Sequence, residues 1–271
     1  MTVATRLWSE MTGPELGALD PERTVAVLPV AATEQHGPHL PVGVDAMINR
    51  AILQAALERA DADVPVVLLP PQDVGWSDEH GAFPGTLTID AATLVRSWTA
   101  VGEGVRRCGL RKLVIFNSHG GQPELVAQVA RDLRVRLGML VVCVNWFRLG
   151  LPPLPWPEEE LRHGIHAGAV ETSLMLHIRP DLVCRERIAD FPSTSAALAR
   201  DNRMVNPLGP TPFAWMTQDL NESGACGDAR LGSAELGARI LDHAAGQLVT
   251  LLRETAALPL SVLRRETPTG G

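Results

Sequence analysis

Residues 24–45 read TVAVLPVAATEQHGPHLPVGVD. The first nine, Thr24 to Ala32, form a nearly continuous apolar run, the pattern of a strand buried on both faces that runs into a loop. Glu34, His36 and Asp45 follow, three potential metal ligands of two chemical kinds within twelve residues. Glu34 and His36 are two apart, so in extended chain they point to the same face. Gly37 and Pro38 then end the strand. A carboxylate, an imidazole and a second carboxylate where a strand stops suit a divalent ion such as zinc, manganese or iron. Two plainer readings stand beside this one. Asp45 opens an apolar helical stripe (Ala46, Ile48, Ala51, Ile52, Ala55, Ala56) and could serve as its cap. Glu34 with His36 could form an ion pair at a sheet edge.

Working outward, Arg111 to Asn117 (RKLVIFN) is a second apolar strand that ends in Ser118-His119-Gly120-Gly121. Open α/β sheets bind ligands at the carboxyl ends of their strands, and glycine there lets backbone approach a ligand closely. A phosphate loop is the rival reading, but the lysine it needs is missing. Further on, Val170, Leu174 and Ile178 sit at helical spacing around Glu171. That helix would bury a carboxylate among apolar neighbours, and a buried carboxylate needs a partner, for which a cation serves well.

Four segments together resemble the creatininase (creatinine amidohydrolase) family: LPVAATEQHGPHLPVGVD (28–45), EHGAFPGTLTID (79–90), FNSHGG (116–121) and HAGAVETSLMLHIRPDLV (166–183). They run in that family's order and spacing. The resemblance implies an α/β fold with a dinuclear metal centre, in chains that are often homo-oligomers and commonly hexamers. It implies that Glu34 and His119 hold one ion, that His36 and Glu171 hold the other, and that Asp45 bridges them. The two divalent ions, of zinc, manganese or iron, would carry a bridging water as nucleophile. His166 matches the position of the proton shuttle, and His80 looks like a neighbour of the ligands or of the substrate. The remaining histidines, His39, His163, His177 and His243, are expected to be structural.

The chain also departs from that pattern. Creatininase itself follows its metal-loop histidine with Tyr and Glu, the latter a metal ligand; here Gly120 and Gly121 stand there, so of the five ligands Glu171 is the one the resemblance supports least. Arg162 occupies the place of the Trp that covers creatinine, while Trp146 matches another aromatic position. Arg162, His163 and Trp146 suggest a more polar pocket, with His80, Trp146 and Arg162 facing the substrate. The reading is a hydrolase of the carbon–nitrogen bond of a small, cyclic amide rather than creatinine. The alternatives are a deformylase or peptidase of the same family acting on a formamide or modified peptide, a hydrolase cutting a carbon–carbon bond in a carbohydrate ring, and a metal-dependent binding protein without turnover.

Composition sets outer bounds. A chain of 271 residues can bury a full core, and a net charge of −7 without a basic cluster argues against nucleic acid as partner. Cys108, Cys143, Cys184 and Cys226 lack metal-knuckle spacing, and Cys143, in an apolar strand, is expected in the core. No apolar run reaches the roughly 20 residues that span a bilayer, and no basic-then-apolar leader is visible, so the cytoplasm is the default expectation.

Strand and helix patterns alternate. Strands are expected at Thr24–Ala31, Val64–Leu69, Lys112–Asn117 and Met139–Asn145, and helices at Asp45–Arg59, Ala91–Arg107, Gln122–Leu137, Ala167–Ile178 and Ser233–Thr255. That order predicts a mainly parallel sheet with helices on both faces, in a single α/β domain over 1–260 with a flexible tail at 261–271. Leu149 to Glu158 is proline-rich, with a solvated helix start at Glu158–Glu160. Ala189 to Asp228 reads as irregular, an active-site lid or an oligomer contact.

Overall fold

Alternation of side chains along two apolar strands explains the architecture. In this computed structural model, which describes residues 6–61 and 64–264, the central strands are β1 (Val25–Val30) and β3 (Lys112–Asn117). They are flanked by β2 (Val66–Leu68) and β4 (Leu140–Asn145) in a parallel sheet of order β2-β1-β3-β4. The helices are α1 (Gly13–Gly17), α2 (Val44–Arg59), α3 (Ala91–Arg107), α4 (Pro123–Leu137), α5 (Glu158–His163), α6 (Ala169–Ile178), α7 (Thr194–Asp201), α8 (Thr217–Leu220) and α9 (Ala234–Ala257). Val25, Val27, Val114 and Phe116 face a core built with α2, α6 and α9. Ala26, Leu28, Val30, Leu113 and Ile115 face a second core built with α3 and α4. Both faces of the two central strands are thereby covered, as an all-parallel sheet requires. No described helix is long and apolar enough to cross a membrane.

Pro29 sits in a central strand, where a missing N–H would ordinarily break a ladder. Here β2 ends at Leu68, two residues before Pro70-Pro71, and its pairing with β1 stops at Val27. Beyond it Gln72 donates to the Pro29 carbonyl at 2.9 Å. The proline thus falls where the neighbouring strand has already departed. The same prolines shorten β2 to less than the 64–69 expected.

β1 and β3 run in register from Val25↔Lys112 to Val30↔Asn117, so their carboxyl ends are level. Asn49 of α2 locks them there. Its amide nitrogen donates to the carbonyls of Val30 (3.2 Å) and Phe116 (3.1 Å) and to Ser118 Oγ (3.1 Å). Gln122 performs a similar task, donating to Asn117 Oδ1 at 2.9 Å and Ala31 O at 3.3 Å while accepting from the Trp76 N–H at 3.1 Å.

Three expectations change. Cys143 is exposed, because β4 is an edge strand: its Sγ lies 3.8 Å from the Val126 carbonyl of α4, but no strand pairs on its other side among the described residues. Ala189–Asp228 is partly ordered: it carries α7, α8 and a short antiparallel pair, β5 (Asp190–Phe191) with β6 (Gly227–Asp228). Its apolar periods are too short to read from sequence. The start of the 261–271 tail joins a short 3₁₀ turn, and the Arg264 carbonyl accepts from Arg134 at 2.8 Å; residues 265–271 lie outside the described residues.

Replacing Asn49 with Ala removes one donor group shared by two strand ends. We expect a loss of about 1–3 kcal/mol in stability, read as a lower urea midpoint with an unchanged m-value. An unchanged midpoint would remove Asn49 from this role.

Candidate metal centre and active site

The level ends of β1 and β3 bring the first ligands together. Glu34 and His36 lie in the turn after β1, His119 two residues beyond β3, and Asp45 in the first turn of α2. Asp45 does not cap that helix: Gly43 is the N-cap, with no side-chain bond, and the Asp45 carboxylate is buried. Asn49, one turn along the same face, ties α2 to the strand ends and so fixes where Asp45 points. Glu171 and His166 arrive from α6 and the loop before it. Gly37, at φ +64, makes the turn possible; a β-carbon there would lie 2.8 Å from that of Ala225.

The ligand atoms form two groups that share Asp45: Glu34, Asp45 and His119, and His36, Asp45 and Glu171. Within each group the atoms lie within 4.8 Å of one another. His119 Nδ1 is 3.1 Å from both Glu34 Oε2 and Asp45 Oδ2. His36 Nε2 is 3.4 Å from Asp45 Oδ1 and 3.8 Å from Glu171 Oε2.

Hydrogen bonds behind the rings set the tautomers. His36 Nδ1 faces the Glu34 carbonyl at 3.0 Å, so Nδ1 carries a hydrogen and Nε2, turned to the carboxylates, is the atom whose lone pair a cation would take up in place of a proton. His119 Nε2 faces the Trp76 carbonyl at 2.9 Å and Glu79 Oε1 at 3.2 Å, which leaves Nδ1 as the lone-pair atom. Backing of this kind is characteristic of metal-ligating imidazoles. His36 Nε2 and Asp45 Oδ2 are buried without a hydrogen-bond partner. Buried polar atoms are rarely left so, and a cation in each of the two groups would satisfy them. The residues present therefore fit a metal.

His166 stands beside these groups, its ring between those of His36 and His80 at centroid distances of 4.1 and 4.3 Å. Its Nε2 donates to the Gln35 carbonyl at 2.7 Å, which leaves Nδ1 free to exchange a proton, 3.7 Å from Glu34 Oε1. Burial first, then the neighbouring His36 and His80, hold its pKa well below the ordinary histidine value, so it is neutral near pH 7. Ala167, next in the chain, is the one non-glycine among the described residues at positive φ, +54. That conformation costs about 1–2 kcal/mol. Its N–H donates to the Glu171 carboxylate, so the strained residue joins His166 to Glu171.

Charge explains the remaining shifts. Burial would lower the pKa of His36, but Glu171, Asp45 and Glu34 outweigh it and raise it to about 9. His119 is raised well above its ordinary value by Glu34, Asp45 and Glu79, again against burial. Burial would raise Asp45, yet His119 and His36 bring it down to about 2. Glu171 goes up to about 7, chiefly through burial. The two imidazoliums thus hold the carboxylates together in the metal-free protein.

Of the residues expected to face a substrate, only His80 joins this cluster. Its Nε2 lies 3.6 Å from Glu34 Oε1, and the Gln35 amide contacts its Nδ1 at 2.7 Å. Trp146 is buried in the apolar core with α2, α6 and α9. Arg162 is exposed on α5, whose inward positions are taken by Glu160 and His163. His39 and His163 make structural contacts, to Thr172 Oγ1 and Ser195 Oγ, each at 2.9 Å.

Several contributors escape sequence reading. Ser77 Oγ donates to Glu34 Oε2, Glu79 backs His119, and Gln35 joins His80 to the Gly224 carbonyl at 2.7 Å. Residues 217–226 form a wall of the site: Thr217 donates to the Glu79 carbonyl at 3.0 Å, and Cys226 pairs backbone with His166. Only the adjacency of Glu79 to His80 in one motif could have signalled any of these.

The family model for creatininase, described as creatinine amidohydrolase, matches residues 9–252. The chain belongs to the creatininase family. This family member is 33% identical over 218 residues to the mycofactocin precursor peptide peptidase of Mycolicibacterium smegmatis, which covers 80% of this chain and 79% of that protein. It is 30% identical over 247 residues to the creatinine amidohydrolase of Pseudomonas putida, covering 85% and 89%. A structure of a creatininase mutant complexed with creatine is similar at a TM-score of 0.76 and 26% identity, over 94% of this chain and all of that one. A manganese creatininase is similar at 0.74 and 26%, over 92% and 98%.

The shifts predict how the metal-free protein responds to pH. Between pH 4.5 and about 7 the folded chain keeps a proton on Glu171 that the unfolded chain has lost. Between pH 6.5 and about 9 the same holds for His36. Below pH 6.5 His39, lowered to about 4, and His166 act the other way, because the unfolded chain binds their protons more readily, so stability is expected to fall with rising pH between 6.5 and about 9. Metal binding requires those protons to leave, so adding a divalent ion should reverse the slope. Melting temperature of chelator-treated and metal-supplemented protein across this range checks both signs; a flat metal-free profile would refute the electrostatic account.

Proposed function

We propose that this creatininase-family protein is a metal-dependent hydrolase that cleaves the carbon–nitrogen bond of a small amide. The observation that carries the reading is the sharing of Asp45 by two facing sets of ligand atoms, beside a neutral His166. Glu34 and His119 would hold one divalent ion, His36 and Glu171 the other, and Asp45 would contribute to both. Such ions supply Lewis-acid polarisation of a carbonyl and a water made acidic enough to react near neutral pH.

The protein's own groups do the rest. Three carboxylates offset three of the four positive charges that two divalent ions would bring. The donor set of three carboxylates and two imidazoles accepts zinc, manganese or iron. His166, with Nε2–H committed to the Gln35 carbonyl, works through Nδ1, which takes up a proton and delivers it to the departing nitrogen. His80 packs on the ring of His166 from the other side and is itself held by the Gln35 amide.

A cyclic amide is the first substrate class, because Glu34, His36, Asp45, His119 and His166 are buried and a compact molecule suits them. A peptide is the second reading, and the relative at 33% identity, a peptide peptidase, favours it. A panel of cyclic amides, formamides and short peptides assayed with the zinc- or manganese-loaded protein separates them. Turnover of peptides alone selects the second reading, and failure on every member of the panel rejects both. We also propose a homo-oligomer, supported by the uncovered, half-buried apolar edge of β4.

Asp45→Ala should lose both ions together, measured as metal per chain by elemental analysis; full occupancy would sink the shared role. His166→Asn should keep its metal while kcat falls about 10²- to 10⁴-fold; near-normal turnover would take the proton transfer away from His166.

A further inference from the structure

Gly121 and Glu79 occupy one another's space. A β-carbon built at Gly121 would lie 1.9 Å from Glu79 Oε1 and 2.5 Å from His119 Nε2. No side chain at position 121 is compatible with the carboxylate standing where it does. Glu79 lies in a short 3₁₀ turn, Asp78–His80, whose backbone is held by the Thr217 hydroxyl at 3.0 Å. From there its Oε1 reaches His119 Nε2 at 3.2 Å, on the side of the ring opposite Glu34 and Asp45. The Trp76 carbonyl accepts from the same N–H at 2.9 Å. The carbonyl suffices to choose the tautomer, so what the carboxylate adds is a negative charge behind the ring, which makes Nδ1 a better electron donor.

We infer that Glu79 is a positioning residue of the metal centre, admitted by the missing side chain at Gly121, which orients His119 and strengthens its Nδ1 as a ligand. It does not itself touch the reacting atoms. This rests on the proposed metal reading of the Glu34, Asp45 and His119 group, and it ties two sequence segments, Glu79-His80 and His119-Gly-Gly, into one unit. A larger residue at 121 and a carboxylate at 79 exclude each other, so a chain of this family can place its extra carboxylate at one position or the other.

The test compares full-length wild type with Glu79→Gln and Glu79→Ala, first metal-free and then titrated with zinc alone and manganese(II) alone against a chelator of known affinity. Both metal-free variants should melt within a few degrees of wild type. Affinity for the more weakened of the two ions should fall about 10- to 100-fold, with the alanine variant the more affected, while the other ion is held more nearly as in wild type. Binding within twofold of wild type for both variants overturns the role of Glu79 and leaves the metal reading intact. Wild type that binds neither ion overturns the metal reading itself. A metal-free Glu79→Gln protein that melts far below wild type assigns Glu79 to folding instead. X-ray absorption of the zinc-loaded proteins supplies the last arm: an unchanged set of ligand atoms in Glu79→Gln supports positioning, and loss of one oxygen ligand would make Glu79 a ligand and overturn it.

Discussion

Asp45 places a carboxylate at 2% exposure between two imidazoles, and most of the site can be traced to how that charge is held. Carboxylates less than 5 Å apart repel by about 3–4 kcal/mol even at an effective dielectric constant of 20. Glu34 and Glu171 both stand that close to Asp45. Without protonated His36 and His119, or cations in their place, the cluster could not stay buried. The fold answers by anchoring α2 at the strand ends through Asn49, one turn from Asp45. The sheet, the helix and the charge cluster are therefore one mechanical unit.

Around that unit each polar group has a single task. Backbone carbonyls of Glu34, Trp76 and Gln35 take the rear nitrogens of His36, His119 and His166. Each imidazole thus has one nitrogen occupied and the other turned toward the cluster. This divides the imidazoles by environment: His36 and His119 are surrounded by carboxylates and become strong bases, whereas His166 is packed between two other imidazoles and stays neutral. The difference lies in the neighbours and not in the residue type.

Residues 189–228 have a clear physical place. They supply the hydroxyl under Glu79, the carbonyl that fixes Gln35 and the strand-like partner of His166. A segment that holds His166 by its backbone belongs to the wall of the site. Relatives in this family include a peptide peptidase and a creatinine amidohydrolase. Residues in this wall, unlike the ligands, have no motif to constrain them, which leaves room for pockets of different shape around one charge cluster.

The amino-acid sequence by itself determined the layering and singled out Glu34, His36, Asp45, His119, His166 and Glu171, which the fold gathers at the strand ends. Apolar runs at 24–32 and 111–117, with turn residues directly after them, dictate parallel strands ending in reactive side chains, because strand burial and chain reversal are local properties. The helices from 91–107 and 123–137 follow from periodicity in the same way. Only the tertiary structure decided that Asp45 is no cap, that Cys143 is exposed on an edge, and that Arg162 faces solvent while Trp146 is buried in the core. Those outcomes depend on which strand lies at the sheet edge and which helix face turns inward. Glu79, Ser77, Gln35 and Thr217 were hidden for the same reason. Their partners lie tens of residues away, and a hydrogen bond across such a distance leaves no periodic trace in the chain.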